Sequence, residues 1–143
     1  FMKAILPGFR GRARGRSALA ADPGHSMPRV LVVEDSADSR EALQILLELE
    51  GHQVVLAGSG EDAVRAVAES EPDWALIDIG LPDIDGYETA RRIRAGHRAV
   101  RLIALTGHNR PEDRERVIAE GFDAHLVKPV DPARLFTILG GLS

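Results

Sequence analysis

Residues 29–143 predict an α/β domain built on a parallel β-sheet with helices on both faces. Short β-branched and apolar runs alternate along this stretch with segments of helical spacing, the pattern of successive βαβ units. The runs are nearly continuously apolar rather than alternating, as expected of strands covered on both sides. Five such strand–helix pairs fit within about 115 residues, an ordinary size for one domain.

Each element has its own signals. The first strand is Arg29–Val33, and the first helix spans roughly Asp38–Glu50 with Ala42, Ile45, Leu46 and Leu49 at helical spacing. Ser36 or Asp38 is placed to cap it, and Gly51 is its left-handed stop. The second strand is Gln53–Ala57, and Gly58-Ser59-Gly60 opens a helix running to about Glu69. Pro72 separates it from the third strand, Trp74–Ile77, where Trp74 is expected in the core. The third helix runs from about Gly86 to Ala95 and is stopped by Gly96, with Asp83 and Asp85 shaping the turn before it. The fourth strand is Val100–Leu105, and the fourth helix carries Pro111 in its first turn and Gly121 at its end. The fifth strand is Ala124–Val127, followed by Asp131-Pro132 as cap and first residue of a helix reaching Leu139.

Composition narrows the function classes. The 143 residues are 44% hydrophobic and 28% charged, and no cysteine is present. A disulfide framework and a thiolate metal site are thereby excluded. No apolar run approaches the ~20 residues needed to cross a bilayer. Residues 1–28 carry five bases against one acid, whereas residues 29–143 carry 13 bases against 21 acids. The acidic body argues against direct DNA binding, and the Gly/Arg-rich head reads as a disordered linker or upstream segment outside the fold. The chain starts at Phe1, and Met27 directly precedes the first strand, so either a longer parent protein or a start at Met27 is expected.

The chemistry gathers at strand ends. Glu34 and Asp35 follow the first strand, Asp78 the third, Thr106 the fourth, and Lys128-Pro129 the fifth. In open α/β sheets ligands bind outside the carboxyl ends of the strands. Three carboxylates in one crevice repel one another and call for a cation. Without cysteine or clustered histidine the ligands are hard oxygens, which selects Mg²⁺, or Mn²⁺, over zinc. Lys128 and Thr106 supply the ammonium and the hydroxyl that a phosphoryl group needs. Asp78 is the lone carboxylate and hence the candidate nucleophile, with the acid pair left for the metal.

With these residues in order, the chain resembles the receiver domain of bacterial two-component response regulators over residues 29–143. The motifs are Val-Val-Glu34-Asp35-Ser, Asp78 with Leu81-Pro82-Asp83-Ile84-Asp85-Gly86 after it, Thr106-Gly107, and Lys128-Pro129. Each alone is a weak signal; four in order at strand ends are a strong one. The resemblance implies a flavodoxin-like (βα)5 three-layer sandwich with strand order 2-1-3-4-5. It also implies that Asp78 accepts phosphate from a histidine kinase or histidine phosphotransfer domain. Asp35, Asp78 and the Gly80 carbonyl would bind Mg²⁺, with Glu34 assisting through water. Thr106 and Lys128 would contact the acyl phosphate, and the Lys128–Pro129 bond would be cis. A cytoplasmic location, a downstream protein partner of unknown identity and a phosphorylation-dependent dimer are further implications. Two positions depart from the family pattern. His125 stands at the switch position that usually holds Tyr or Phe, and Gly107 replaces a more usual alanine.

Rival readings follow from the same residues. A phosphohydrolase with an aspartyl nucleophile would need an acid two residues beyond Asp78, where this chain has Gly80. An adaptor with a receiver fold but no phosphorylation is the other alternative. No residue pattern makes the domain a self-standing enzyme beyond its own phosphorylation and dephosphorylation. The chain ends just after the last helix, which leaves the expectation of a stand-alone receiver or the C-terminal receiver of a hybrid histidine kinase. Arg91, Arg92 and Arg94 read as a solvated basic face.

Overall fold

Apolar runs of four to six residues are long enough to cross a sheet but too short for buried helices, and each becomes a strand. The computed structural model describes residues 27–97, 99–108 and 110–141. Apart from Met27 and Pro28, the basic head lies outside them. The strands are β1 (Arg29–Val33), β2 (Gln53–Ala57), β3 (Trp74–Asp78), β4 (Arg101–Thr106) and β5 (Ala124–Val127). They alternate with α1 (Ala37–Leu49), α2 (Gly60–Ser70), α3 (Gly86–Gly96), α4 (Pro111–Ala119) and α5 (Pro132–Gly141). Every pairing is parallel and the order is β2-β1-β3-β4-β5, as the resemblance implied.

The continuous apolar strands divide their side chains between two cores, one on each face. Leu31, Val33, Ala75, Ile77, Leu102 and Ala104 face α2, α3 and α4, meeting Val67, Ile93 and Val117. Val30, Val32, Trp74, Leu76, Ile103 and Leu105 face α1 and α5, meeting Leu43, Leu47, Leu135 and Leu139. Full burial of one such side chain stabilises the fold by roughly 1.5–3 kcal/mol.

Helix ends follow the local chemistry. Ser36, Ser59 and Asp85 accept backbone N–H bonds from residues three ahead, at 3.3, 3.1 and 2.8 Å. Asp131 accepts from the Ala133 amide at 3.1 Å, and Pro111 occupies the first turn of α4. Gly51 and Gly121 leave α1 and α4 with φ of +95° and +96°, where a side chain would be strained. Glu71, with φ of +48°, does the same after α2 without that freedom, a left-handed stop that no residue type announced.

Several expectations shift. Helix α1 starts at Ala37 behind its Ser36 cap, and α3 extends through Gly96. β3 continues through Asp78, and β4 begins at Arg101 and takes in Thr106. The larger correction concerns the buried face of α1. Leu43 and Leu47 enter the core, whereas Ala42, Ile45 and Leu49 are exposed and Leu46 is half-buried. Both stripes have helical spacing, so periodicity alone could not choose between them; the direction of the β1–α1 junction did.

Candidate functional site

The register of the sheet brings the chemically useful strand ends to one edge. Val33 lies opposite Ile77, Asp78 opposite Leu105, and Thr106 opposite Val127. Two further bonds carry the alignment past the strands: Ile79 N–H to Leu105 O at 3.0 Å and Lys128 N–H to Thr106 O at 2.7 Å. Glu34, Asp78, Thr106 and Lys128 therefore stand at one edge of the sheet, with the exposed Asp35 beside them.

Lys128 is the centre of the charges. Its Nζ lies 3.0 Å from Asp78 Oδ2 and 3.0 Å from Glu34 Oε1. Asp78 Oδ1 accepts the Gly80 amide at 3.0 Å. Both acids are buried, while Asp35 is exposed. One carboxylate oxygen from each of Glu34, Asp35 and Asp78 falls within 4.8 Å of the other two. Glu34 Oε1 is buried with no directed hydrogen bond, despite the ion pair with Lys128.

The two buried acids titrate in opposite directions. Burial, together with the hydrogen bond to Asp78, pushes the Glu34 carboxyl above its ordinary value. Burial pushes Asp78 up as well, but hydrogen bonds from Glu34, the Gly80 amide and Lys128 outweigh it and hold Asp78 low. Burial pulls Lys128 down, and its bonds to Asp78 and Glu34 more than reverse that, leaving it raised. Of the two, Asp78 is the acid whose carboxylate form is favoured. Clustered carboxylate oxygens, one of them buried and met among the described residues by the Lys128 ammonium alone, suit a hard divalent cation such as Mg²⁺.

Thr106 and His125 meet across the β4–β5 pair. The Thr106 hydroxyl donates to His108 O at 2.7 Å, and its oxygen lies 3.3 Å from His125 Nε2. The hydroxyl proton is already committed, so the second contact is a hydrogen bond only when Nε2 carries a proton. The Lys128–Pro129 peptide is cis. A side chain at Gly107 would meet nothing within 4 Å, so open space lies beside Thr106.

Other participants were not legible as such. A Cβ on Gly86 would stand 2.7 Å from Asp78 O and 2.7 Å from the Ile79 Cα, so only glycine lets α3 press against the end of β3. Asp83 does more than shape its own turn. Its carboxylate accepts the Gly60 and Glu61 amides, each at 3.0 Å, which ties the β3–α3 loop to the start of α2. Burial raises the Asp83 carboxyl, but backbone hydrogen bonds from Glu61 and Gly60 outweigh it and hold the group low. The arginines of α3 are ion-paired rather than merely solvated. Arg91 pairs with Glu88 and Glu120, Arg92 with Glu88, and Arg94 with Asp123.

Comparison with known proteins matches this geometry. The sequence model of the response regulator receiver domain matches residues 30–140. The 14.6 kDa protein of the sodA1 3′ region of Leptolyngbya boryana is 36% identical over 112 residues, covering 77% of this chain and 86% of that protein. The transcriptional regulatory protein AfsQ1 of Streptomyces coelicolor is 40% identical over 104 residues, covering 73% of this chain. The chain spans about half the length of such regulators, 46% in that case. Among solved structures, the chemotaxis response regulator CheY4 of Vibrio cholerae superposes with a TM-score of 0.77 at 27% identity, covering 82% of this chain and all of that one. A CheY-like receiver domain protein of Methanospirillum hungatei gives 0.75 at 27% identity, covering 82% and 94%. The fold, the strand-end residues and the family match converge: this chain belongs to the receiver domains of two-component response regulators.

Proposed function

We propose that Asp78 accepts a phosphoryl group from a phosphohistidine. Receiver domains take that group from histidine kinases or phosphotransfer proteins and generally bind Mg²⁺ at an acidic pocket. The observation that carries the assignment to Asp78 is its position. Its carboxyl is held low in pKa and lies 3.0 Å from Lys128, at the carboxyl edge of the central strand.

An Asp78 carboxylate oxygen forms the new O–P bond as the N–P bond of the donor breaks, and the imidazole leaves with a proton. Asp35, Asp78 and the Gly80 carbonyl would hold Mg²⁺, or Mn²⁺, with Glu34 assisting. Bound there, the ion would neutralise charge on the phosphoryl oxygens. Lys128 releases Asp78 to pair with the phosphoryl group, and Thr106 turns its hydroxyl from His108 O toward it. The modification adds about two negative charges. Loss of the Thr106 bonds carries the change to His125 on β5, where a downstream protein partner or a second copy reads it.

Residues 29–143 act as the receiver, and the cytoplasm is the expected setting. No helix among the described residues is long and apolar enough to cross a membrane. The test is exposure of the purified protein to acetyl phosphate with Mg²⁺. The intact mass should rise by one phosphoryl group in the wild type and stay unchanged in Asp78→Asn. An unlabelled wild type, or equal labelling of the variant, rejects the proposal.

A further inference from the structure

The Glu34 peptide sits where β1 leaves the sheet, and its two polar groups are met from different directions. Its N–H makes the last bond to β2, donating to Ala57 O at 3.1 Å. The ladder with β3 ends one residue earlier, at the Val33–Ile77 pair. The Glu34 carbonyl is taken instead by Arg40 Nη1 at 2.7 Å, reaching back from the second turn of α1. Arg40 is half-buried and pairs with no carboxylate among the described residues, although Glu34, Asp35 and Asp78 cluster nearby. Room for the guanidinium comes from Gly58, where a Cβ would lie 3.3 Å from Nη1, closer than such contacts normally run.

We infer that Arg40 is a positioning residue for the cation-binding acids. Holding the Glu34 carbonyl fixes the rotation of the Glu34–Asp35 peptide, and that rotation aims the exposed Asp35 carboxylate at Asp78. The role rests on the proposed Mg²⁺ site. A charge effect alone predicts the opposite sign. A cation beside three carboxylates repels a second cation, so removing it would tighten Mg²⁺ binding. Loss of positioning weakens it, because partners that orient metal ligands are worth about 10–100-fold in affinity.

The experiment is Mg²⁺ titration of the full chain, followed by calorimetry and by the amide NMR signals of Asp35, Ser36 and Gly80. Arg40→Gln should raise the Mg²⁺ Kd about tenfold or more. Arg40→Lys, which keeps the charge without the guanidinium's reach, should also raise it. Both should shift the Asp35 and Ser36 amides already in metal-free buffer while leaving β4 signals in place. Gly58→Ala, which crowds Nη1 and leaves Arg40 intact, should raise the Kd by a smaller factor, and it decides the matter should Arg40→Gln fail to fold. A wild-type Kd retained in all three variants, or tightened in Arg40→Gln, overturns the inference. A wild type that binds no Mg²⁺ overturns the metal site itself, and the inference with it.

Discussion

At the residue scale, Glu34 and Asp78 are two buried carboxylates beside one ammonium, yet they titrate in opposite directions. Glu34 is raised above 4.5, so the folded protein holds its proton more tightly than the unfolded chain does. It therefore withholds stability at neutral pH, and that stability returns as the pH falls through its folded pKa. Asp78 is depressed below 3.8, so its contribution is present above that value and is lost as the pH falls through its folded pKa. Lys128, raised above 10.5, contributes below 10.5 and loses that contribution as the pH rises through its folded pKa. Glu34 is thus retained at a cost to the metal-free fold. Replacing it with Gln should stabilise the protein in metal-free buffer at pH 7 while weakening Mg²⁺ binding. Urea denaturation with and without Mg²⁺ measures both, and a less stable metal-free variant would contradict the account of Glu34.

At the element scale, α1 and the β3–α3 loop carry the sharpest differences between expectation and structure. Ala42, Ile45, Leu46 and Leu49 have good helical spacing, but so do Leu43 and Leu47, and the sheet buries the latter. Leu47→Ala should cost roughly 2–5 kcal/mol, whereas Ile45→Ala, at an exposed position, should stay within about 0.5 kcal/mol. Thermal or urea denaturation of the pair distinguishes the two faces. Asp83 looked like a turn residue because its sequence neighbours form a turn. Its actual partners, the Gly60 and Glu61 amides, lie more than twenty residues away. Asp83→Ala should lose about 1 kcal/mol of stability at pH 7, as for removal of a helix cap. The loss should shrink in acid, since a depressed carboxylate gives up its contribution as the pH falls through its folded pKa.

At the scale of the whole molecule, the strands and the strand-end site were legible because each depends on short, local signals, whereas the sheet order came only through the resemblance to receiver domains. Glu34, Asp35, Asp78, Thr106 and Lys128 each end or follow an apolar run, and parallel strands bring all such ends to one edge. What escaped was pairwise and long-range: Arg40 against the Glu34 carbonyl beneath Gly58, Asp83 on α2, and Gly86 against Asp78 O. No single residue type advertises a contact whose partner is set by tertiary packing. Trp74 shows the same limit from the other side. It is buried as expected, but it lies at the opposite end of β3 from Asp78, with the Arg101 guanidinium 5.4 Å from its ring, and is poorly placed to report metal binding by fluorescence. A global readout suits the molecule better. Mg²⁺ at a hundredfold excess over its Kd should stabilise the fold by about 2.7 kcal/mol, visible as a rise in Tm that Asp35→Asn diminishes.

The most direct measurement is chemical localisation of the phosphoryl group. After treatment with acetyl phosphate and Mg²⁺, borohydride reduction converts an aspartyl phosphate to homoserine, which peptide mass spectrometry assigns to a residue. The account predicts homoserine at position 78, dependent on Mg²⁺ and strongly reduced in Lys128→Ala. Homoserine formed instead at position 35, or no reduction product under conditions that label an active receiver domain, would contradict it.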